Sequence, residues 1–138
     1  DGVRIAEKAL LPKAVVDFIR THHGLGKAKY FYNSFKNQYP EKDIDEGTFT
    51  YPGPNPFSKE TAILMMADSV EAASRSLKEH TEESIKQLVD KIIDGQIADG
   101  LLKSAPLTFR DVETVKSVFV DKLKTMFHTR ISYPDLKK

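Results

Sequence analysis

Three stretches in the second half of the chain constrain its fold class most, because each repeats apolar residues at helical spacing and each opens on a hydroxyl residue. Ser58, with Glu60 in the first turn, precedes Ala62, Ile63, Met66, Ala67, Val70, Ala73 and Leu77. Thr81, backed by Glu82 and Glu83, precedes Ile85, Leu88, Val89, Ile92 and Ile93, with Gly95 or Gly100 as the stop. Thr108, with Asp111 at the third position, precedes Val112, Val115, Phe119, Leu123, Met126 and Phe127, and this helix stops near His128 before an extended tail over 131–138. The first helix is apolar all round in its middle, which predicts a central position; the second is amphipathic and predicted peripheral. No stretch alternates with the period of two that a strand requires, and no segment repeats. The chain is therefore expected to be all-α.

The first half is more broken. Ile5, Leu10, Leu11, Val15, Val16, Phe18 and Ile19 recur at helical spacing, but Pro12 divides them into a short first piece and a second helix that it opens itself. His22 and His23 fall at the end of that second helix. Gly24 and Gly26 permit a tight turn, and 27–37 reads as a further helix whose Tyr30, Phe31, Ser34 and Phe35 form a partly aromatic face. From 38 to 57 the period fails, and Pro40, Gly47, Pro52, Gly53, Pro54 and Pro56 mark a long loop. A loop of this length in a compact domain is commonly functional, so it is a candidate wall or lid for a site.

Composition limits the chemistry. With 138 residues, 40% of them hydrophobic, the chain is sized for one domain. Its 21 basic and 20 acidic residues leave a net charge of +1 with no basic cluster, which argues against a nucleic-acid polymer as partner. It has no cysteine, so any metal must be held by His, Asp or Glu. The longest apolar run, Ala62 to Ala67, falls far short of the roughly 20 residues of a membrane span, and no signal-peptide pattern opens the chain. The polypeptide is thus expected to be soluble.

Two features stand out against this background. Adjacent side chains on a helix diverge by about 100°, so His22 and His23 reach one ion only where the helix ends and the backbone turns, and Gly24 permits that turn. The same doublet would serve equally as a cationic cap on the helix C-terminus, and the two readings stand even. Asp68 follows six apolar residues, where a carboxylate is costly to bury unless it is paired or bound to a cation. Arg75 or Lys29 could pair with it, yet helical phase favours Glu71 with Arg75, which strengthens the case for a metal. His80 and His128 read as helix-terminal residues without a role. Tyr30, Tyr32, Phe49 and Tyr51 could stack on a flat base, although aromatic residues at this spacing more often fill a core.

The segments 15–24 (Val-Val-Asp-Phe-Ile-Arg-Thr-His-His-Gly), 29–32 (Lys-Tyr-Phe-Tyr), 51–54 (Tyr-Pro-Gly-Pro) and 67–77 (Ala-Asp-Ser-Val-Glu-Ala-Ala-Ser-Arg-Ser-Leu) together resemble the HD-domain phosphohydrolase superfamily. More narrowly, they resemble the cytosolic HD domain of the PgpH-type seven-transmembrane receptors, which are cyclic di-AMP phosphodiesterases. The likeness extends to 88–93 (Leu-Val-Asp-Lys-Ile-Ile) and 127–131 (Phe-His-Thr-Arg-Ile). It implies a helical bundle that holds two divalent transition metals, manganese or iron, through an H, HD, H, HH, D series of ligands. His22 and His23 match the histidine pair, and Asp68 matches the closing aspartate. Lys29, Tyr51 and Arg75 become candidates for contacting phosphate or base, and no catalytic residue is assigned.

The chain departs from the family pattern in one large respect: it contains no His-Asp dipeptide. The resemblance then covers residues 1–138 as the C-terminal portion of a single HD domain, truncated on its N-terminal side. It implies a parent protein anchored in the membrane with this domain at the cytoplasmic face, opening cyclic di-AMP to linear pApA. It also implies a fragment that is inactive by itself, holds metal incompletely or not at all, and associates as a homodimer through the apolar surface left by missing helices. Two rivals remain. One is an HD-type enzyme acting on cyclic di-GMP, whose motif continuation is lacking after His23-Gly24. The other is a catalytically silent helical signalling module in which the histidines are caps and Asp68 pairs with a base.

Overall fold

The computed structural model describes residues 2–26, 29–43 and 45–129, the side chains of residues 29, 30, 46 and 129 excepted. Six helices follow in order: α1 (Gly2–Lys8), α2 (Lys13–Thr21), α3 (Lys29–Gln38), α4 (Lys59–Ser74), α5 (Glu82–Ala98) and α6 (Phe109–Thr129), with a 3₁₀ turn at Glu46–Phe49. No strand occurs among the described residues. The fold is all-α, as the periodicity predicts. The expected tail over 131–138 lies outside the described residues.

Local chemistry sets the helix starts where the hydroxyl residues stand. Ser58 Oγ accepts from the Thr61 N–H while Thr61 Oγ1 accepts from the Ser58 N–H, both at 3.1 Å. Thr81 and Ser84 repeat this reciprocal cap on α5. On α6, Asp111 accepts from the Thr108 N–H at 2.9 Å and Thr108 Oγ1 accepts from the Asp111 N–H at 3.0 Å. Pro12 stands at the N-cap of α2, where its missing N–H costs nothing. Of the two glycines that could stop α5, the helix passes through Gly95 and ends before Gly100, which takes φ +75°. Burial explains the choice: Ile93 and Gln96 flank Gly95 and both face the interior.

The core is built on α4. Its Ala62, Met65, Met66 and Val70 pack with Ile85, Val89 and Ile93 of α5 and with Val115, Leu123 and Phe127 of α6. Helix α4 touches α2, α5 and α6, so it is central, as its all-round apolar middle predicts. Helix α5 is less peripheral than its amphipathic pattern suggests, because one face seats on both α4 and α6 while Lys86, Gln87 and Asp94 stay outside. Lys116 of α6 bonds Asp94 at 2.6 Å and pairs with Asp90 at 3.4 Å, fastening α6 to α5. Burial alone would lower the Lys116 ammonium pKa, but the Asp94 hydrogen bond and the two carboxylate charges outweigh it and leave it raised.

His80 has a structural part that its position in the sequence did not suggest. Its ring stacks on Phe127 with centroids 3.6 Å apart, and its Nε2 donates to the Ser74 carbonyl at 3.2 Å, pinning the end of α4 to α6. Phe35 and Tyr39 of α3 form a satellite cluster with Phe49, which Tyr32 meets edge-on at 5.8 Å. Ile5, Leu10, Leu11 and Val15 of the α1–α2 region are exposed. No helix among the described residues is long and apolar enough to cross a membrane.

Candidate metal centre

The end of α2 turns the two histidines toward one point. Thr21, fully buried, donates its hydroxyl hydrogen to the Asp17 carbonyl at 2.7 Å, and His22 closes the helix with its N–H on the Phe18 carbonyl. The chain then reverses: Gly24 takes φ +53°, its N–H reaches the Thr21 carbonyl at 2.9 Å, and the Gly26 N–H reaches the His23 carbonyl at 3.0 Å. A Cβ at Gly24 would stand 2.7 Å from both Asn55 Oδ1 and Met65 Cε, so this position needs glycine for space as well as conformation. The turn removes the divergence expected of neighbours on a helix, and the two rings approach to 4.0 Å between centroids.

The long loop holds this turn from outside, as a wall. Asn55 Oδ1 accepts from the Leu25 N–H at 2.8 Å, and the Tyr51 N–H donates to the Gly26 carbonyl at 2.9 Å. The Tyr51 ring lies on the His23 ring at 4.2 Å and 11°. Asp68 comes from the middle of α4, and one ligand atom from each of His22, His23 and Asp68 falls within 4.8 Å of the others.

Asp68 is exposed, which corrects the premise that its apolar neighbours would bury it. Of those neighbours Ala62, Met65 and Met66 are buried while Ile63 and Leu64 are exposed, and Asp68 projects from the edge beside the histidines. Arg75 does not pair with it: its Nε and Nη2 donate to the two Glu71 carboxylate oxygens at 2.9 and 2.8 Å, the i,i+4 pair that helical phase favours. The side chain of Lys29 lies outside the described residues.

The electrostatics suit metal ligation. His22 Nδ1 is 2.7 Å from the Ile19 carbonyl. A carbonyl only accepts, so Nδ1 carries the hydrogen and Nε2 is the nitrogen left to face a metal. The pKa of His23 is lowered first by burial and then by the charge of His22, against an opposing pull from Asp68. The neutral, lone-pair form is thereby favoured. Two imidazole nitrogens and a carboxylate oxygen match the donor set of first-row transition ions, and three donors leave coordination positions open.

A cavity of about 250 Å³ lies beside the histidines, lined among others by Tyr51, Ser69, Lys91 and Gln96. Sequence reasoning passed over Asn55 and Gln96. Asn55 was hidden in a turn dipeptide. Gln96 did carry a signal, since it continues the inward face of Val89 and Ile93 with a polar group.

No family model matches the chain. Over 138 residues it is 41% identical to cyclic-di-AMP phosphodiesterase PgpH of Bacillus subtilis (strain 168), covering all of this chain and 19% of that protein. Against the protein of the same name from Listeria monocytogenes serotype 1/2a (strain 10403S), identity is 36% over 137 residues, with 99% and 19% covered. The chain thus spans about a fifth of the length of these curated relatives. The crystal structure of the L. monocytogenes PgpH HD domain in complex with cyclic-di-AMP superposes with a TM-score of 0.85 at 33% identity, over 91% of this chain and 57% of that one. A second crystal structure of that HD domain gives 0.82 at 32% identity, over 92% and 58%. Over all of its residues the chain is thus similar in sequence to part of the PgpH proteins, and its helical architecture is similar to part of the PgpH HD domain.

Proposed function

We propose that the protein carrying this chain is a metal-dependent phosphodiesterase that opens cyclic di-AMP to linear pApA. The observation that carries this reading is the convergence of His22, His23 and Asp68, from two helices distant in sequence, on one point beside an open cavity. HD-domain phosphohydrolases are metal-dependent. In the complete domain two ions, manganese or iron, would be bound, with these three side chains supplying part of the ligand set. When bound, the ions supply Lewis acidity toward a phosphoryl oxygen and a water of lowered pKa for in-line attack.

The chain's own groups prepare that chemistry. The Ile19 carbonyl keeps the His22 ring in one tautomer and orientation. Tyr51 covers one face of His23 and keeps water from it. Asp68, exposed at the helix edge, contributes a hard anionic oxygen without the cost of burial. Hydrolysis then breaks one P–O bond of the ring: water adds to phosphorus, a ribose hydroxyl leaves with a proton, and a linear dinucleotide with one terminal phosphate results. Tyr51, Lys29 and Arg75 are candidates for contacting phosphate or base, Arg75 only after release from Glu71.

The 138 residues alone are proposed to be inactive, because three donors cannot hold a dinuclear centre. The exposed apolar α1–α2 side fits homodimer formation by this piece. In the full-length protein the domain is proposed to sit at the cytoplasmic face of the membrane, anchored by other segments. The test is product analysis with the full-length protein and with the 138-residue piece. Conversion of cyclic di-AMP to pApA by the former alone supports the reading, and its absence in the metal-loaded full-length protein refutes it.

A further inference from the structure

We infer that Asn55 is a positioning residue for metal binding: it ties the turn that carries His22 and His23 to the start of the helix that carries Asp68, and so sets the separation of the two halves of the ligand set. This rests on the metal-centre reading above. The histidines stand at the end of α2 and the carboxylate in the middle of α4, with α3 and the long loop between these helices in sequence. Within the turn the Gly24 and Gly26 N–H groups are satisfied locally, by the Thr21 and His23 carbonyls. The Leu25 N–H between them points away from the turn and donates to Asn55 Oδ1 at 2.8 Å.

Asn55 is held from both directions. On the histidine side its Oδ1 and Cα fill the notch beside Gly24, 2.7 and 3.5 Å from the point a Cβ would occupy. On the α4 side the next residue, Pro56, is fully buried, and Ser58 caps α4 through its reciprocal bonds with Thr61. A proline fixes its own φ and restricts the residue before it, and a capped helix start is rigid, so little backbone freedom separates Asn55 from the helix that bears Asp68. The second tie, from the Tyr51 N–H to the Gly26 carbonyl, is more remote from α4, because Gly53 at φ +76° lies between Tyr51 and Asn55. Asn55 is thus the near anchor. Its hydrogen bond is a single neutral one at the surface, so its loss should cost little stability. Metal affinity is the more sensitive quantity, because it depends on ligand placement, and loss of a group that orients ligands lowers it by about tenfold or more.

The test is manganese(II) binding to the full-length protein, with free ion read by electron paramagnetic resonance and hydrogen exchange over residues 22–26 read by mass spectrometry. Asn55→Ala should bind manganese about tenfold more weakly and exchange faster in that segment, while circular dichroism shows it folded. Asn55→Asp keeps the acceptor oxygen and should match the unsubstituted protein in exchange and bind manganese at least as tightly. Asn55→Ser, whose hydroxyl stops one bond short, should behave as Asn55→Ala and replaces it in the comparison if the alanine variant does not fold. Undiminished affinity in the folded alanine or serine variant overturns the inference, as does an equal loss in Asn55→Asp. If the unsubstituted protein binds no manganese or other transition ion, the metal-centre reading falls and this inference with it. If it binds and Asn55→Ala binds equally well, only the assignment of Asn55 falls.

Discussion

Gly24 does more for the candidate centre than its lack of a side chain suggests. It takes the left-handed conformation that lets two neighbouring imidazoles face one point, and a Cβ added there would collide with Asn55 and Met65. Gly24→Ala should therefore cost about 2 kcal/mol or more of stability, which chemical denaturation would measure, and it should also weaken metal binding. Asn55→Ala is the milder relative: it removes the acceptor for the Leu25 N–H, an expected loss of about 1 kcal/mol. The His22-His23 doublet was legible because its spacing is chemically odd on a straight helix. The exposure of Asp68 was not, because a run of apolar neighbours does not say which edge of a central helix is left open. Asn55 escaped notice for a similar reason. Its partner lies thirty residues away across a loop, and no local pattern encodes that contact.

Helix starts were readable from chemistry confined to four residues. Ser58, Thr81 and Thr108 all cap where a hydroxyl residue ahead of an acidic first turn predicts, while the reciprocal bonds from Thr61 and Ser84 were not foreseen. The end of α5 was ambiguous between two glycines until burial of Ile93 and Gln96 decided it. The α6 cap also makes a pH prediction. The Asp111 pKa is held below the ordinary carboxylate value, first by the Thr108 backbone N–H and then by the hydrogen bond from Lys59. A carboxylate with a depressed folded-state pKa contributes stability above its unfolded value and loses it as pH falls through the folded one. Thermal midpoints should thus drop further between about pH 5 and about pH 2.5 for the unsubstituted protein than for Asp111→Asn. Equal drops would remove Asp111 from the account.

At the scale of the whole molecule, the all-α class and the central place of α4 followed from periodicity, whereas the folding of the 38–57 loop onto the histidine turn did not. That loop carries no period, and only three-dimensional closure brings Tyr51 onto His23. The apolar α1–α2 side gives a further expectation. Leu10 is 89% exposed and Ile5 69%. The 138-residue piece should sediment as a dimer, and replacing Leu10 and Leu11 with lysine should shift it to monomer. A sedimenting species that is monomeric at high concentration without those substitutions would count against this. The central claim is that His22, His23 and Asp68 hold the metal on which phosphodiester cleavage depends. Its most direct test is Asp68→Ala in the full-length protein, read by bound metal per chain and by conversion of cyclic di-AMP to pApA. Asp68 is exposed, so the account predicts a folded protein that loses metal and activity together. Full metal content with undiminished turnover would contradict it.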